Sequence, residues 1–154
     1  MNTYILNKAK AHIKGGKNFP DIDGIVEFEE YREGILMTCK INGLPKSSIN
    51  CRGRFFGFHI HEGTSCTGNA QDEFADTGSH LNPYNCPHPF HMGDLPPLIE
   101  CNGYAYMSVL LNKFRIQDIE GKAIIIHDMP DDFTTQPSGN SGKKIACGII
   151  KRTI

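Results

Sequence analysis

Hydrophobic and polar residues alternate with a period of two along much of this chain. Apolar residues occupy alternate positions at Ile35, Met37, Cys39 and Ile41, and the residues between them include a threonine and a lysine. Because successive side chains of a strand point to opposite faces, this pattern predicts strands with one buried face. Segments of the same kind lie at positions 4–13, 24–31, 53–61, 104–111, 114–119, 122–127 and 144–151.

Turn signals separate these segments, among them Asn-Gly, Glu-Gly and Gly-Gly pairs. About eight short strands with few patterns of helical length predict an all-β fold, either an antiparallel barrel or a sandwich. Two long segments, 62–102 and 128–143, interrupt the strands, and loops of that length usually carry function. The chain length predicts one domain over residues 1–154.

The charge balance excludes two classes of partner. The net charge of −1 gives no basis for binding nucleic acid or an anionic membrane surface. No apolar run is long enough to span a bilayer, and the first sixteen residues lack the pattern of a secretory signal. We therefore expect a cytoplasmic protein, although packaging into a particle or release by lysis is compatible with the same pattern.

The six cysteines form no CxxC pair, so a zinc site built from thiolates is not expected. One long-range disulfide is compatible with their spacing, although thiols in the cytosol usually stay reduced. They are Cys39, Cys51, Cys66, Cys86, Cys101 and Cys147.

Five of the seven histidines lie between positions 58 and 94. His59 and His61 alternate on a predicted strand and therefore point to the same face. His127 ends another predicted strand, where a third imidazole can converge on the first two. Nitrogen ligands without a carboxylate favour copper or zinc over magnesium or calcium.

A second group, His80, His88, His91 and Asp94, falls within fifteen residues. Prolines between them stiffen the loop and reduce the entropy lost when it closes around an ion. Three imidazoles and one carboxylate fill a tetrahedral shell, which is typical of structural zinc. Only His12 stands outside both groups, and an isolated histidine is usually a surface or core residue.

Five motifs resemble those of the copper/zinc superoxide dismutases, over nearly the whole chain. They are Gly-Phe-His-Ile-His-Glu (57–62), Gly-Ser-His-Leu-Asn-Pro (78–83), His-Met-Gly-Asp-Leu (91–95), Ile-His-Asp-Met-Pro-Asp-Asp (126–132) and Ala-Cys-Gly-Ile-Ile (146–150). The resemblance implies an eight-stranded antiparallel Greek-key barrel with copper and zinc as cofactors. It also implies conversion of superoxide to dioxygen and hydrogen peroxide by copper redox cycling, in a homodimer.

The resemblance further implies which side chains bind each metal. Copper would be held by His59, His61, His80 and His127, and zinc by His80, His88, His91 and Asp94. The shared His80 would also pass a proton to the peroxide being formed. Zinc would keep this imidazole oriented without redox chemistry of its own.

Four further residues take roles by resemblance. Asp131 would hydrogen-bond the free nitrogens of His59 and His88. Cys66 and Cys147 would form the disulfide, and the other four cysteines would be core or surface residues, with Cys86 able to compete for metal. Lys144 stands where the family has an arginine that guides superoxide. Lysine keeps the charge but loses the planar fork, so we expect a working enzyme with a lower rate.

A non-catalytic relative of the same fold, which binds metal or acts as a decoy, is the alternative function. Such a relative would be expected to lose copper ligands or the guiding cation. Both predicted ligand sets are complete here, which favours the enzyme.

Overall fold

The computed structural model describes residues 4–48 and 50–154, and antiparallel strands dominate this part of the chain. A 3-10 helix (Ala75–Thr77) and a short helix α1 (Ile116–Ile119) interrupt them. The strands are β1 (Asn7–Gly15), β2 (Asp23–Glu30), β3 (Ile35–Asn42), β4 (Phe55–Phe56), β5 (Phe58–His61), β6 (Leu98–Ile99), β7 (Ala105–Leu111), β8 (Ala123–His127), β9 (Lys144–Ile149) and β10 (Lys151–Thr153).

The strands form an eight-stranded sheet and a two-stranded one. The large sheet has the order β5-β8-β9-β1-β2-β3-β7, with β10 also paired to β1, and β4 pairs with β6. Every pairing is antiparallel, and neighbours in the sheet are often distant in sequence. The predicted all-β fold, an antiparallel barrel or sandwich, is confirmed. No helix of the described residues has the length and apolar character that a bilayer crossing requires.

The strand predicted at 114–119 is wrong, because these residues contain α1 instead. Ile116 and Ile119 are both buried, and a separation of three residues brings side chains to one face of a helical turn. The Asp118 carboxylate accepts a hydrogen bond from the Arg115 backbone N–H at 2.8 Å, which satisfies a donor at the start of the helix. In so short a segment, apolar spacing does not distinguish a strand from one helical turn.

Two other predicted strands are divided. The segment 53–61 contains β4 and β5, separated at Gly57, and the segment 144–151 is broken at Ile150 between β9 and β10. The Gly57 N–H donates to the Met129 carbonyl at 2.8 Å, and the His127 N–H donates to the Gly57 carbonyl at 2.8 Å. The break at Gly57 therefore joins β5 to the end of β8, where His127 lies.

β5 lies between the apolar core and a covering loop. Phe58 and Ile60 are fully buried in the main core cluster, with partners that include Phe28, Phe56 and Ile126. His59 and His61 occupy the alternate positions and are also buried, so both faces of this strand are covered. The face that carries the histidines is covered by the loop that follows β5.

A disulfide joins Cys66 in that loop to Cys147 on β9, as predicted. Cys147 also packs with Phe74, Ala123 and Ile125 in a small second apolar cluster. The loop is therefore attached to β9 both by a covalent bond and by buried apolar contacts. Cys39 is buried, Cys51 and Cys101 are exposed and Cys86 is half-buried, all as free thiols.

Replacing both Cys66 and Cys147 by alanine should lower the free energy of unfolding by about 4–5 kcal/mol in the chain-entropy model, because the bridge spans 81 residues. Urea unfolding of the metal-free protein measures this loss. The matched control replaces the exposed Cys51 and Cys101 by serine and should change the free energy of unfolding by less than about 1 kcal/mol. Equal stability of the alanine variant and the parent protein would contradict the prediction.

Candidate metal centre

Backbone hydrogen bonds hold two parts of the long loop against β5. The Leu81 N–H donates to the Ile60 carbonyl at 2.9 Å, and the Ile60 N–H donates to the Gly93 carbonyl at 2.8 Å. Isolated bridges pair His61 with His80 and His59 with Asp94. The loop thus extends the sheet locally, and this pairing brings its histidines beside those of β5.

The first cluster of candidate ligands combines β5, the loop and the end of β8. One ligand atom from each of His59, His61, His80 and His127 lies within 4.8 Å of all the others. All four side chains are buried. The Nε2 atoms of His61 and His127 are only 3.3 Å apart, which indicates a shared point of convergence.

The second cluster lies within the loop itself. His80, His88, His91 and Asp94 also bring one ligand atom each within 4.8 Å of the others, and all are buried. His80 Nδ1 lies 2.8 Å from Asp94 Oδ1, and His91 Nδ1 lies 3.3 Å from Asp94 Oδ2. His80 is therefore common to both clusters, with Nδ1 facing the acid of the second one.

Asp131 connects the two clusters from behind. Its Oδ2 lies 2.7 Å from His59 Nε2, and its Oδ1 lies 2.8 Å from His88 Nε2. Burial alone would raise the pKa of Asp131, but the hydrogen bonds from these two imidazoles outweigh it and hold the pKa below its usual range. An ionised carboxylate only accepts, so both Nε2 atoms carry the proton and both Nδ1 atoms keep a lone pair.

Backbone carbonyls orient the other two imidazoles of the first cluster. His61 Nδ1 lies 2.8 Å from the Gly78 carbonyl, and His127 Nδ1 lies 3.4 Å from the Gly142 carbonyl. Each Nδ1 is therefore the donor and each Nε2 keeps its lone pair. Burial lowers the pKa of His127 to about 3 and the pKa of His61 well below its ordinary value, so both rings stay neutral near pH 7.

Three buried ring nitrogens of the described residues have no hydrogen-bond partner: His59 Nδ1, His80 Nε2 and His88 Nδ1. His88 Nδ1 approaches Asp94 Oδ2 to 3.1 Å but without the alignment of a hydrogen bond. Unsatisfied buried polar atoms are rare because each costs about 1–3 kcal/mol. Two neighbouring clusters of buried imidazoles, one with a carboxylate, fit copper and zinc.

Lys144 lines a cavity of about 410 Å³ together with His61, His80 and His127. Its Nζ lies 3.1 Å from Asp72 Oδ2 and donates to the Phe74 carbonyl at 3.1 Å. The residue predicted to guide superoxide thus lines the same cavity as these three candidate ligands. The ion pair places a negative charge beside it.

The structure brings together all the residues that the sequence assigned to the metals, and it places Asp131 and Lys144 next to them. Cys86 lies in the same loop but belongs to neither cluster. Sequence reasoning missed Asp72. No local pattern marks this residue, because its partner Lys144 is 72 positions away in the chain and meets it only after folding.

A family model described as copper/zinc superoxide dismutase (SODC) matches residues 22–150. The superoxide dismutase-like protein YojM of Bacillus subtilis is 39% identical over 145 residues, which cover 82% of this chain and 68% of that protein. A protein named superoxide dismutase (Cu-Zn) 2, from Aquifex aeolicus, is 31% identical over 157 residues, which cover 92% of this chain and 86% of the relative.

Solved structures agree with this likeness. The crystal structure of a SOD-like protein from Bacillus subtilis superposes with a TM-score of 0.74 at 31% identity, covering 91% of this chain and 96% of that one. The second structure is a double mutant of a SOD-like protein from the same organism, in which a tyrosine and a proline are replaced by histidine. It superposes with a TM-score of 0.72 at 34% identity, covering 91% of this chain and 95% of that one.

The metal-free protein should lose stability as the pH falls from about 6.5 towards 3. The pKa of His127 is about 3 in the folded state and near 6.5 in the unfolded chain, so the unfolded state binds the additional proton in this range. Each such group contributes a slope of up to about 1.4 kcal/mol per pH unit. Urea unfolding between pH 4 and 6 measures how steeply the free energy of unfolding depends on pH. In His127→Asn this slope should be smaller than in the parent by the amount that the uptake of about one proton contributes.

His12→Asn is the matched control for this measurement, because His12 is an exposed imidazole on β1. It should leave the slope unchanged. A slope in His127→Asn equal to that of the parent would show that His127 does not titrate in this way.

Proposed function

The chain belongs to the copper/zinc superoxide dismutase family, and we propose that it is a catalytic member that converts superoxide to dioxygen and hydrogen peroxide. The observation that carries the proposal is the pair of complete ligand clusters joined at His80. Hydrogen bonds on the opposite ring nitrogens direct the lone pairs of four of these imidazoles inward, those of His59, His61, His88 and His127. A protein that needed only a structural metal would have no use for the first cluster.

We assign the first cluster, His59, His61, His80 and His127, to copper and the second, His80, His88, His91 and Asp94, to zinc. Bound copper would supply the one-electron redox chemistry, while zinc is redox-inactive. The reaction balances as 2 O2•− + 2 H+ → O2 + H2O2, so the site must deliver protons as well as electrons. The carboxylate in only one cluster supports giving zinc that position.

His80 is the residue best placed to handle a proton. Its Nδ1 faces Asp94 of the second cluster, while its Nε2 is buried, has no hydrogen-bond partner and lies on the side of the cluster that opens on the cavity. A proton held at Nε2 would lie beside a substrate in that cavity and could be passed to the peroxide product. The zinc that Nδ1 and Asp94 would share would keep the ring in the same orientation during this exchange.

Lys144 would attract the anionic substrate. Its side chain lines the cavity, and a cation beside a narrow cleft raises the local concentration of small anions. A lysine offers a point charge rather than the two parallel donors of an arginine. We therefore propose that Lys144 guides superoxide by charge and holds it less tightly than an arginine would.

A non-catalytic relative is the second candidate, since one relative and one solved neighbour are named SOD-like rather than superoxide dismutase. The described part of this chain contains all the histidines of both clusters, which favours the enzyme.

Three expectations from the sequence stay predictions: one domain over residues 1–154, a cytoplasmic location and assembly as a homodimer. Sedimentation of the purified protein would measure the oligomeric state.

Metal content and activity together test the proposed function. The protein reconstituted with both metals should contain about one copper and one zinc per chain and should dismutate superoxide. Chelation should abolish the activity, and restored copper should recover it. His127→Gln should lose most of the copper and the activity, whereas His12→Gln, on the exposed face of β1, should keep both. A fully loaded but inactive parent protein would overturn the proposal in favour of the non-catalytic relative.

Asp131→Asn should weaken zinc binding by about 10- to 100-fold, because an amide has one acceptor oxygen and cannot accept from both His59 and His88. Competition with a chromogenic chelator measures the zinc affinity. Asp21→Asn makes the same charge change at an exposed position and serves as the control. Unchanged zinc affinity in Asp131→Asn would remove Asp131 from this role.

A further inference from the structure

The ammonium group of Lys144 is held by the loop that carries Cys66. Asp72 Oδ2 lies 3.1 Å from Nζ, and the Phe74 carbonyl accepts a hydrogen bond from Nζ at 3.1 Å. The Lys144 side chain is 14% exposed, whereas that of Asp72 is 40% exposed. An ammonium has three donors, so these two contacts leave one donor that an anion can accept from.

The loop fixes Asp72 without help from Lys144. Asp72 Oδ1 accepts a hydrogen bond from the Phe74 N–H at 2.9 Å, and the Asp72 N–H donates to Asn69 Oδ1 at 3.0 Å. Phe74 is buried in the small apolar cluster beside Cys147, and the disulfide of Cys66 lies in the same cluster. The carboxylate is therefore a rigid acceptor to which the flexible lysine side chain attaches.

We propose that Asp72 is the positioning residue for the substrate-guiding cation: it holds the ammonium of Lys144, which lines the cavity above the histidines, against the loop, and it reduces the attraction of that ammonium for anions. Both effects follow from one contact. The ion pair restricts a side chain with four rotatable bonds, and it places a negative charge beside the positive one that superoxide meets. The inference rests on the proposed function of the site.

The two effects depend differently on salt. The negative charge of Asp72 acts on superoxide at a distance, so salt screens it. The restriction of Lys144 by direct contact with Asp72 survives at high ionic strength. Removing the Asp72 charge should therefore accelerate association at low salt and slow the reaction at high salt. A residue with a merely structural role would change the rate in the same direction at every salt concentration.

Asp72→Asn tests this in the protein loaded with copper and zinc. Its kcat/KM for superoxide should be about threefold above the parent at low ionic strength, with a steeper decline as salt is added. It should fall below the parent at high salt, because one amide oxygen cannot accept from both Phe74 N–H and Lys144. Asp72→Glu keeps the charge and should retain the salt slope of the parent.

A second measurement needs no metal and no activity. In the metal-free parent the Lys144 ammonium should give an observable 15N–1H signal, since its protons are held in two hydrogen bonds. In Asp72→Asn these protons should exchange with water several-fold faster. An unchanged exchange rate would overturn the positioning role, and an unchanged salt slope in an active enzyme would overturn the effect on attraction.

The matched control is Glu120→Gln. Glu120 Oε2 pairs with Arg152 Nε at 3.1 Å, the same distance as in the Lys144 pair, and the Glu120 side chain is 45% exposed. This pair lies towards the other end of β9, so its loss should leave the salt slope and the Lys144 signal near those of the parent. Inactivity of the loaded parent would instead count against the proposed function, while the exchange measurement would still decide whether Asp72 holds Lys144.

Discussion

Six buried imidazoles can lie side by side only when the hydrogen bonds around them decide which nitrogen of each ring carries the proton. Asp131 makes this decision for His59 and His88 together, by accepting from the Nε2 atom of both rings. The Gly78 carbonyl does the same for His61. Burial lowers the pKa of His59 and of His61, and the nitrogens opposite those hydrogen bonds keep the lone pairs that a metal requires.

The loops of this protein are organised around that requirement. The loop after β5 must return to β5 so that His80 and Asp94 reach it, and main-chain hydrogen bonds at Ile60 secure both contacts. The loop after β8 must fold back so that Asp131 reaches both clusters. The residues of the loop after β5 that make these contacts are accordingly buried, while much of the rest of that loop is exposed.

The disulfide has a consequence beyond stability. It attaches the first part of the loop to β9, and β9 begins with Lys144. The residues that hold the ammonium, Asp72 and Phe74, are on one side of this connection and the lysine is on the other. The disulfide, the small apolar cluster and the ion pair thus all join this loop to β9, and β9 carries the lysine that lines the cavity.

The sequence by itself determined the strands with clear alternation, the two histidine groups and the residues that complete them. These features are local, because alternation defines a face of β5 and the short spacing from His80 to Asp94 defines one loop. It was wrong at 114–119, where a single helical turn has nearly the same apolar spacing as a strand. Cys66, Cys147, Asp131 and Lys144 were placed by resemblance to a family and not by local pattern.

Only the tertiary structure decided which nitrogen of each imidazole is free and which charge stands beside Lys144. Tautomers depend on partners such as the Gly78 carbonyl and Asp131, which reach the rings from distant segments. The pairing of Asp72 with Lys144 depends on how the loop lies on β9. Contacts between side chains far apart in the chain leave no period in the sequence, and the fold alone brings them within hydrogen-bonding distance.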